Sequence, residues 1–174
     1  MTGHEPATRP TVVVMGVSGS GKTTIGRLLA DRLDVPFADA DDFHSAAATA
    51  AMAAGRPLTD ADRWPWLQRL ADWLAGQPTG CVLACSALRR AYRDVLRSGA
   101  PELRFLHLAG EPGVVTDRVE RRPDHYMPAS LVSSQYEALE PLEPDERGIV
   151  VDFTLSPAEI VDRFVRNISA GPRV

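Results

Sequence analysis

The chain has 174 residues, 44% hydrophobic and 24% charged, with a net charge of −4 at neutral pH, a balance that suits one soluble domain with its own core. The modest negative charge offers no general attraction to nucleic acid or to an anionic membrane. No apolar run approaches the roughly 20 residues of a bilayer span, and the opening MTGHEPATRP lacks the apolar segment of a secretory signal, so the cytoplasm is the expected location.

The first element is the β-branched run that opens at Thr11, TVVVM, which reads as a buried parallel strand. A glycine-rich loop follows, Gly16-Val17-Ser18-Gly19-Ser20-Gly21-Lys22-Thr23-Thr24, and then a helix with Ile25, Leu28, Leu29 and Leu33 on one face. Strand, loop and helix in this order are the context a phosphate-binding P-loop requires. Gly16, Gly19 and Gly21 free the backbone to turn successive N–H groups towards phosphate oxygens. The helix N-terminus adds partial positive charge. Lys22 supplies a point charge for the β- and γ-phosphates, and Thr23 a hydroxyl for Mg²⁺. Eighteen of the nineteen basic residues are arginine; Lys22 is the single lysine. A guanine-reading Asn-Lys-x-Asp motif is therefore absent, and a GTPase switch is excluded.

The chain then alternates. A second strand is expected at 35–38, followed by FADADDFH with three aspartates, Asp39, Asp41 and Asp42. At the end of such a strand Asp39 suits a Mg²⁺ ligand acting through water, and Asp41 suits the acceptor of a proton from an attacking hydroxyl. Asp41 or Asp42 equally suits the N-cap of the next helix. That helix is expected at 43–54 with Gly55 as its stop, and another from about 62 to 75 with Pro65 in its first turn. A third strand spans 80–85, with Cys81 and Cys85 on one face as buried thiols. A helix at 88–97, a strand at 103–108, a helix at 114–121, a strand at 148–152 and a helix at 157–168 complete the pattern. Such alternation predicts an α/β fold of three layers, with a five-stranded parallel sheet between helices. One domain, 1–174, accounts for the whole chain.

From Gly16 to about Pro141 the motifs resemble the gluconokinase family. The segments that carry the resemblance are MGVSGSGKTT, DADDFH, MAAGRPLTDADRWPWL, CSALRRAYRDVLR and RPDHYMPASLVSSQYEALEP. It implies phosphoryl transfer from ATP to D-gluconate with Mg²⁺, a nucleoside-monophosphate-kinase-like fold with a helical lid at about 118–140, and a homodimer. Lys22, Asp41 and Arg122 become the expected catalytic groups, and Arg118 joins the P-loop in holding ATP. Gluconate is an anionic polyol, so its site needs cations and hydrogen-bonding groups; Arg63, Arg89 and Arg93 are the candidate cations, with His125 in the lid. His44 either bonds a substrate hydroxyl or faces water at a helix end. Asp60 and Asp62 either touch substrate or pair with Arg63, and Asp62 also suits an N-cap. Ala48 and Ala51 stand where the family commonly carries Asn and Lys, and Arg89 where many members carry Lys. The rival readings are a shikimate-type or other small-metabolite P-loop kinase, and a non-catalytic ATP-binding regulator.

Overall fold

The computed structural model describes residues 9–121 and 129–170. Its elements, in chain order, are β1 (Thr11–Met15), α1 (Lys22–Leu33), β2 (Phe37–Asp39), a 3₁₀ turn (Ala40–Phe43), α2 (Ala46–Ala53), α3 (Asp60–Ala75), β3 (Cys81–Ala84), α4 (Arg90–Gly99), β4 (Arg104–Ala109), α5 (Pro112–Glu120), α6 (Ala129–Ala138), β5 (Gly148–Asp152) and α7 (Pro157–Ser169). The five strands form one sheet in the order β2-β3-β1-β4-β5, and every pairing is parallel. The expected α/β architecture is what the chain adopts. No helix among the described residues is long and apolar enough to cross a membrane.

Alternation along the strands divides the core in two. Val12, Val14, Leu106, Leu108 and Val151 pack with α1, α5 and α7 on one face. Val13, Met15, Leu83 and Phe105 pack with α3 and α4 on the other. Cys81 and Cys85 belong to this second core, and burial pushes both thiols up to about 12, which leaves them inert packing groups. Gly99 lets α4 close on α3: a Cβ there would lie 2.1 Å from the Ala71 carbonyl oxygen.

Several boundaries differ from those read along the chain, each for a local reason. Asp34 takes a left-handed conformation (φ 54°) and the Val35 N–H donates to the Ala30 carbonyl, so 34–35 finish α1 and β2 starts at Phe37. The helix expected over 43–54 is split. Asp39 caps the 3₁₀ turn by accepting from the Asp41 N–H, and Ser45 caps α2 by accepting from the Ala48 N–H. Gly55, at φ 76°, follows the end of α2 in the stop position expected of it. In α3 the cap is Thr59: its Oγ1 accepts from the Asp62 N–H, while the Asp62 carboxylate accepts from the Thr59 N–H. This capping box moves the helix start to Asp60 and places Pro65 in the second turn. Helix α6 falls within 118–140, the segment for which the family resemblance implies a helical lid without giving a helix its bounds.

Candidate active site

The sheet order reverses beside β1, which opens a crevice at the C-terminal ends of β1 and β3. A cleft of about 450 Å³ lies there, lined by the P-loop, the Asp39–Asp41 turn and Ser86. Backbone bonds hold its walls together: the Gly16 N–H donates to the Ser86 carbonyl and the Cys85 N–H to that of Val14. At Gly16 (φ 152°) a Cβ would sit 2.8 Å from the Leu108 carbonyl oxygen, and Gly19 (φ 82°) lies close beneath Val115 and Val119 of α5. The loop therefore fits its surroundings only with glycine at these points.

Within the cleft Lys22 Nζ donates to the Val17 carbonyl at 3.1 Å. Thr23 Oγ1 donates to Asp39 Oδ2 at 2.9 Å, and Asp39 Oδ1 accepts from the Asp41 N–H at 3.0 Å. One hydroxyl and one carboxylate, both hard oxygen donors, thus sit one hydrogen bond apart beside the P-loop lysine. That set fits Mg²⁺, which takes one or two protein oxygens and completes its shell with phosphate and water.

Asp41 lines the cleft with a largely exposed side chain. Loss of bulk water around it raises its pKa first and the Asp39 carboxylate second, while His44 and Lys22 pull it down. A raised carboxyl pKa makes a stronger base when ionised. The turn carrying Asp41 is fixed by α3: Trp66 Nε1 donates to the Ala40 carbonyl at 2.8 Å and Arg69 Nε to that of Phe43 at 3.0 Å. Trp66 is core on one side and a platform on the other, since His44 stacks on it with ring centroids 4.3 Å apart. The His44 side chain is 6% exposed, with Nε2 3.8 Å from Asp41 Oδ1. Its Nδ1 is buried without a partner among the described residues, and burial lowers its pKa. His44 therefore does not face open water.

Helices α3 and α4 bring a second polar group together. Tyr92 OH donates to Asp60 Oδ1 at 2.5 Å, and Arg63 Nη1 reaches the same oxygen at 3.3 Å. Hydrogen bonding from Tyr92 and then Arg63 holds the Asp60 carboxyl below its usual range. Asp60 is thus the partner of Arg63, and Asp62 is spent on the capping box. Arg89 is exposed at the N-terminus of α4, with its charge felt at Asp60 and Tyr92. Tyr92 went unassigned in the sequence; its place three residues after Arg89 on a helix facing Arg63 is the signal that could have found it.

Arg93 is not among these groups, and its expected contact with substrate is corrected. Its side chain is fully buried. Nε and Nη2 donate to Glu146, Nη1 to the carbonyls of Ala87 and Leu88, and Nη2 also to that of Pro141. The guanidinium is saturated by the loop before α4 and the segment before β5, so none of its donors faces the cleft.

On the other side of the P-loop a hollow of about 340 Å³ is lined by Gly21, Thr24, Arg118, Arg121, Phe153 and Pro157. Arg118 Nη1 donates to the Gly19 carbonyl and Nη2 to that of Phe153, with its guanidinium carbon 4.7 Å above the Phe153 ring. Arg118 is thereby attached to the P-loop, whereas Arg122 and His125 lie outside the described residues.

Comparison with known proteins follows the same lines. The family model described as "Shikimate kinase" matches residues 18–169. A curated gluconokinase from Gluconobacter oxydans (strain 621H) is 44% identical over 162 residues, 91% of each chain. The crystal structure of an unliganded sugar kinase from Janibacter sp. HTCC2649 is 49% identical with a TM-score of 0.86, over 94% of this chain and 96% of that one. A gluconokinase structure from Sinorhizobium meliloti 1021 is 38% identical with a TM-score of 0.83, over 95% and 99%.

Proposed function

Because the chain belongs to the gluconokinase family, we propose that it transfers the γ-phosphoryl group of ATP to the 6-hydroxyl of D-gluconate, giving 6-phospho-D-gluconate and ADP. The observation that carries this reading is the placement of the Asp41 carboxyl in one cleft with Lys22 and Thr23. Donor and acceptor then meet where charge is neutralised and a base is ready. Phosphoryl transfer asks for little beyond that positioning.

The P-loop N–H groups that the fold does not already pair, together with the α1 N-terminus, hold the phosphates, and Lys22 neutralises the charge that spreads over them. Arg118 fixes the loop from α5, and the hollow beside Phe153 takes the nucleoside. Thr23 and, through water, Asp39 would hold Mg²⁺, which would supply positive charge to offset that of the phosphates. Asp41 accepts the hydroxyl proton as the new oxygen–phosphorus bond forms. Arg63 and Arg89 receive the gluconate carboxylate; each charge-assisted hydrogen bond contributes about 1.5–3 kcal/mol. His44, stacked on Trp66 beside Asp41, bonds a substrate hydroxyl. Arg122 is proposed to neutralise the group in transit and His125 to touch the acceptor. A cytoplasmic homodimer is the proposed working form.

The test is ADP release by purified protein with Mg-ATP, comparing D-gluconate, other aldonates, shikimate and no acceptor. Stimulation confined to gluconate is expected. Stimulation by another acid would keep the kinase and reassign the acceptor, with Ala48 and Ala51 the first residues to examine. ATP binding with no stimulated turnover would support the regulator reading.

A further inference from the structure

Helix α6 makes a side-chain bond to the P-loop that none of the groups above requires. The Ser18 N–H donates to Gln135 Oε1 at 2.6 Å, and Gln135 Nε2 donates to Ser18 Oγ at 3.0 Å. The orientation of this amide follows from chemistry. A backbone N–H only donates, so the carbonyl end must face it, and the NH₂ end must face the hydroxyl. The hydroxyl oxygen therefore accepts from Gln135, and its own proton points elsewhere. Among the described residues no acceptor takes that proton, and Ser18 borders the cleft together with Lys22, Thr23 and Asp41.

Gln135 is well placed to set this direction. Val132, one turn before it, is 3% exposed in the core, and Tyr136, next to it, donates through its hydroxyl to the Gly110 carbonyl at 2.8 Å. Core packing at Val132 and the Tyr136 bond to Gly110 thus hold α6 on both sides of the amide.

We propose that Gln135 is a positioning residue for phosphoryl transfer, turning the Ser18 hydroxyl so that its proton is donated into the cleft, to an oxygen of the phosphoryl group in transit. No bond is made or broken at Ser18; the hydroxyl stabilises negative charge that the departing group carries and ADP lacks. The identity of the acceptor rests on the function proposed above, but the role of Gln135 does not, because transfer to water passes the same phosphoryl group.

The test is a double-mutant cycle on Gln135→Ala and Ser18→Ala. Turnover is measured with gluconate and as the slow transfer to water, alongside ADP affinity. Loss of an oriented donor to a charged oxygen should lower kcat about tenfold in each single variant, with ADP affinity held within about twofold. The double variant should be no slower than Ser18→Ala alone. Gln135→Glu, of the same shape, keeps the bond to the Ser18 N–H but accepts from the hydroxyl as well, turning its proton away from the cleft; it should be slower than Gln135→Ala. The proposal is overturned by unchanged kcat in Gln135→Ala, by single losses that multiply in the double variant, or by parallel loss of kcat and ADP affinity, the mark of a P-loop merely displaced. Absence of gluconate turnover in the wild type would instead remove the acceptor assignment, leaving the cycle to be scored on transfer to water.

Discussion

His107 lies on β4 between Met15 of β1 and Val150 of β5. It is 5% exposed, neither ring nitrogen has a partner among the described residues, and its pKa is lowered to about 4, by burial first and by the Arg93 charge second. The neutral ring is therefore the form the fold accepts. Below the ordinary value of 6.5 the unfolded chain takes up a proton that the folded chain refuses until about pH 4. More protons on the unfolded state mean that stability falls as pH falls across this window. With about 1.4 kcal/mol for each pH unit, the full loss is about 3 kcal/mol. The perturbation is His107→Leu, which fills similar space and carries no proton. Urea unfolding of both proteins from pH 7.5 down to pH 4 gives two stability curves. Groups that titrate in both, including His44 and Asp41, cancel in the difference. That difference should grow by about 3 kcal/mol in favour of the variant as pH falls. Curves that stay parallel would refute the reasoning and show that His107 is protonated, or hydrogen-bonded through water, at no cost to the fold.

Three further outcomes are expected. Lys22→Ala should cut kcat by about two to three orders of magnitude, as removal of a preorganised electrostatic group does; near-normal turnover in the coupled assay would refute the P-loop assignment. Asp41→Asn should abolish transfer while ADP binding persists by calorimetry. In the wild type turnover should fall on the acid side, as pH drops through the raised Asp41 pKa and the base becomes protonated; loss of ADP binding in the variant would point to a structural role instead. Arg93→Met should leave Glu146 buried without its partner and cost about 3–5 kcal/mol, lowering Tm by roughly 10 °C; a changed KM for gluconate with unchanged Tm would restore Arg93 to the substrate site.

The parts of the fold that could be read from the sequence are those whose signals are local. Gly148–Asp152 appears at its full bounds because a short apolar run follows a strongly polar stretch and opens on a glycine that the Phe105 backbone requires. The P-loop is legible because its glycines, lysine and flanking periodicity occur together. Boundaries drift where two residues compete for one capping role, as Thr59 and Asp62 do, or where a left-handed residue such as Asp34 is not glycine. Arg63 and Arg93 look alike as letters on helices. Only the long-range meeting of Arg93 with Glu146 and three loop carbonyls separates a core arginine from one in the cleft. Gln135 lies in one of the segments that carry the family resemblance but had no role of its own there, since a single glutamine on a helix acquires meaning only through the backbone it reaches.

The solitary lysine has a practical side. Lys22 Nζ, at the Val17 carbonyl, is the one side-chain amine in the sequence. Amine-directed chemistry, commonly treated as diffuse surface modification, therefore has a single side-chain address here, inside the candidate active site. Immobilisation through lysine would anchor the protein by the group it needs for phosphate, whereas the degree of acylation, with and without nucleotide, becomes a direct reporter of P-loop occupancy.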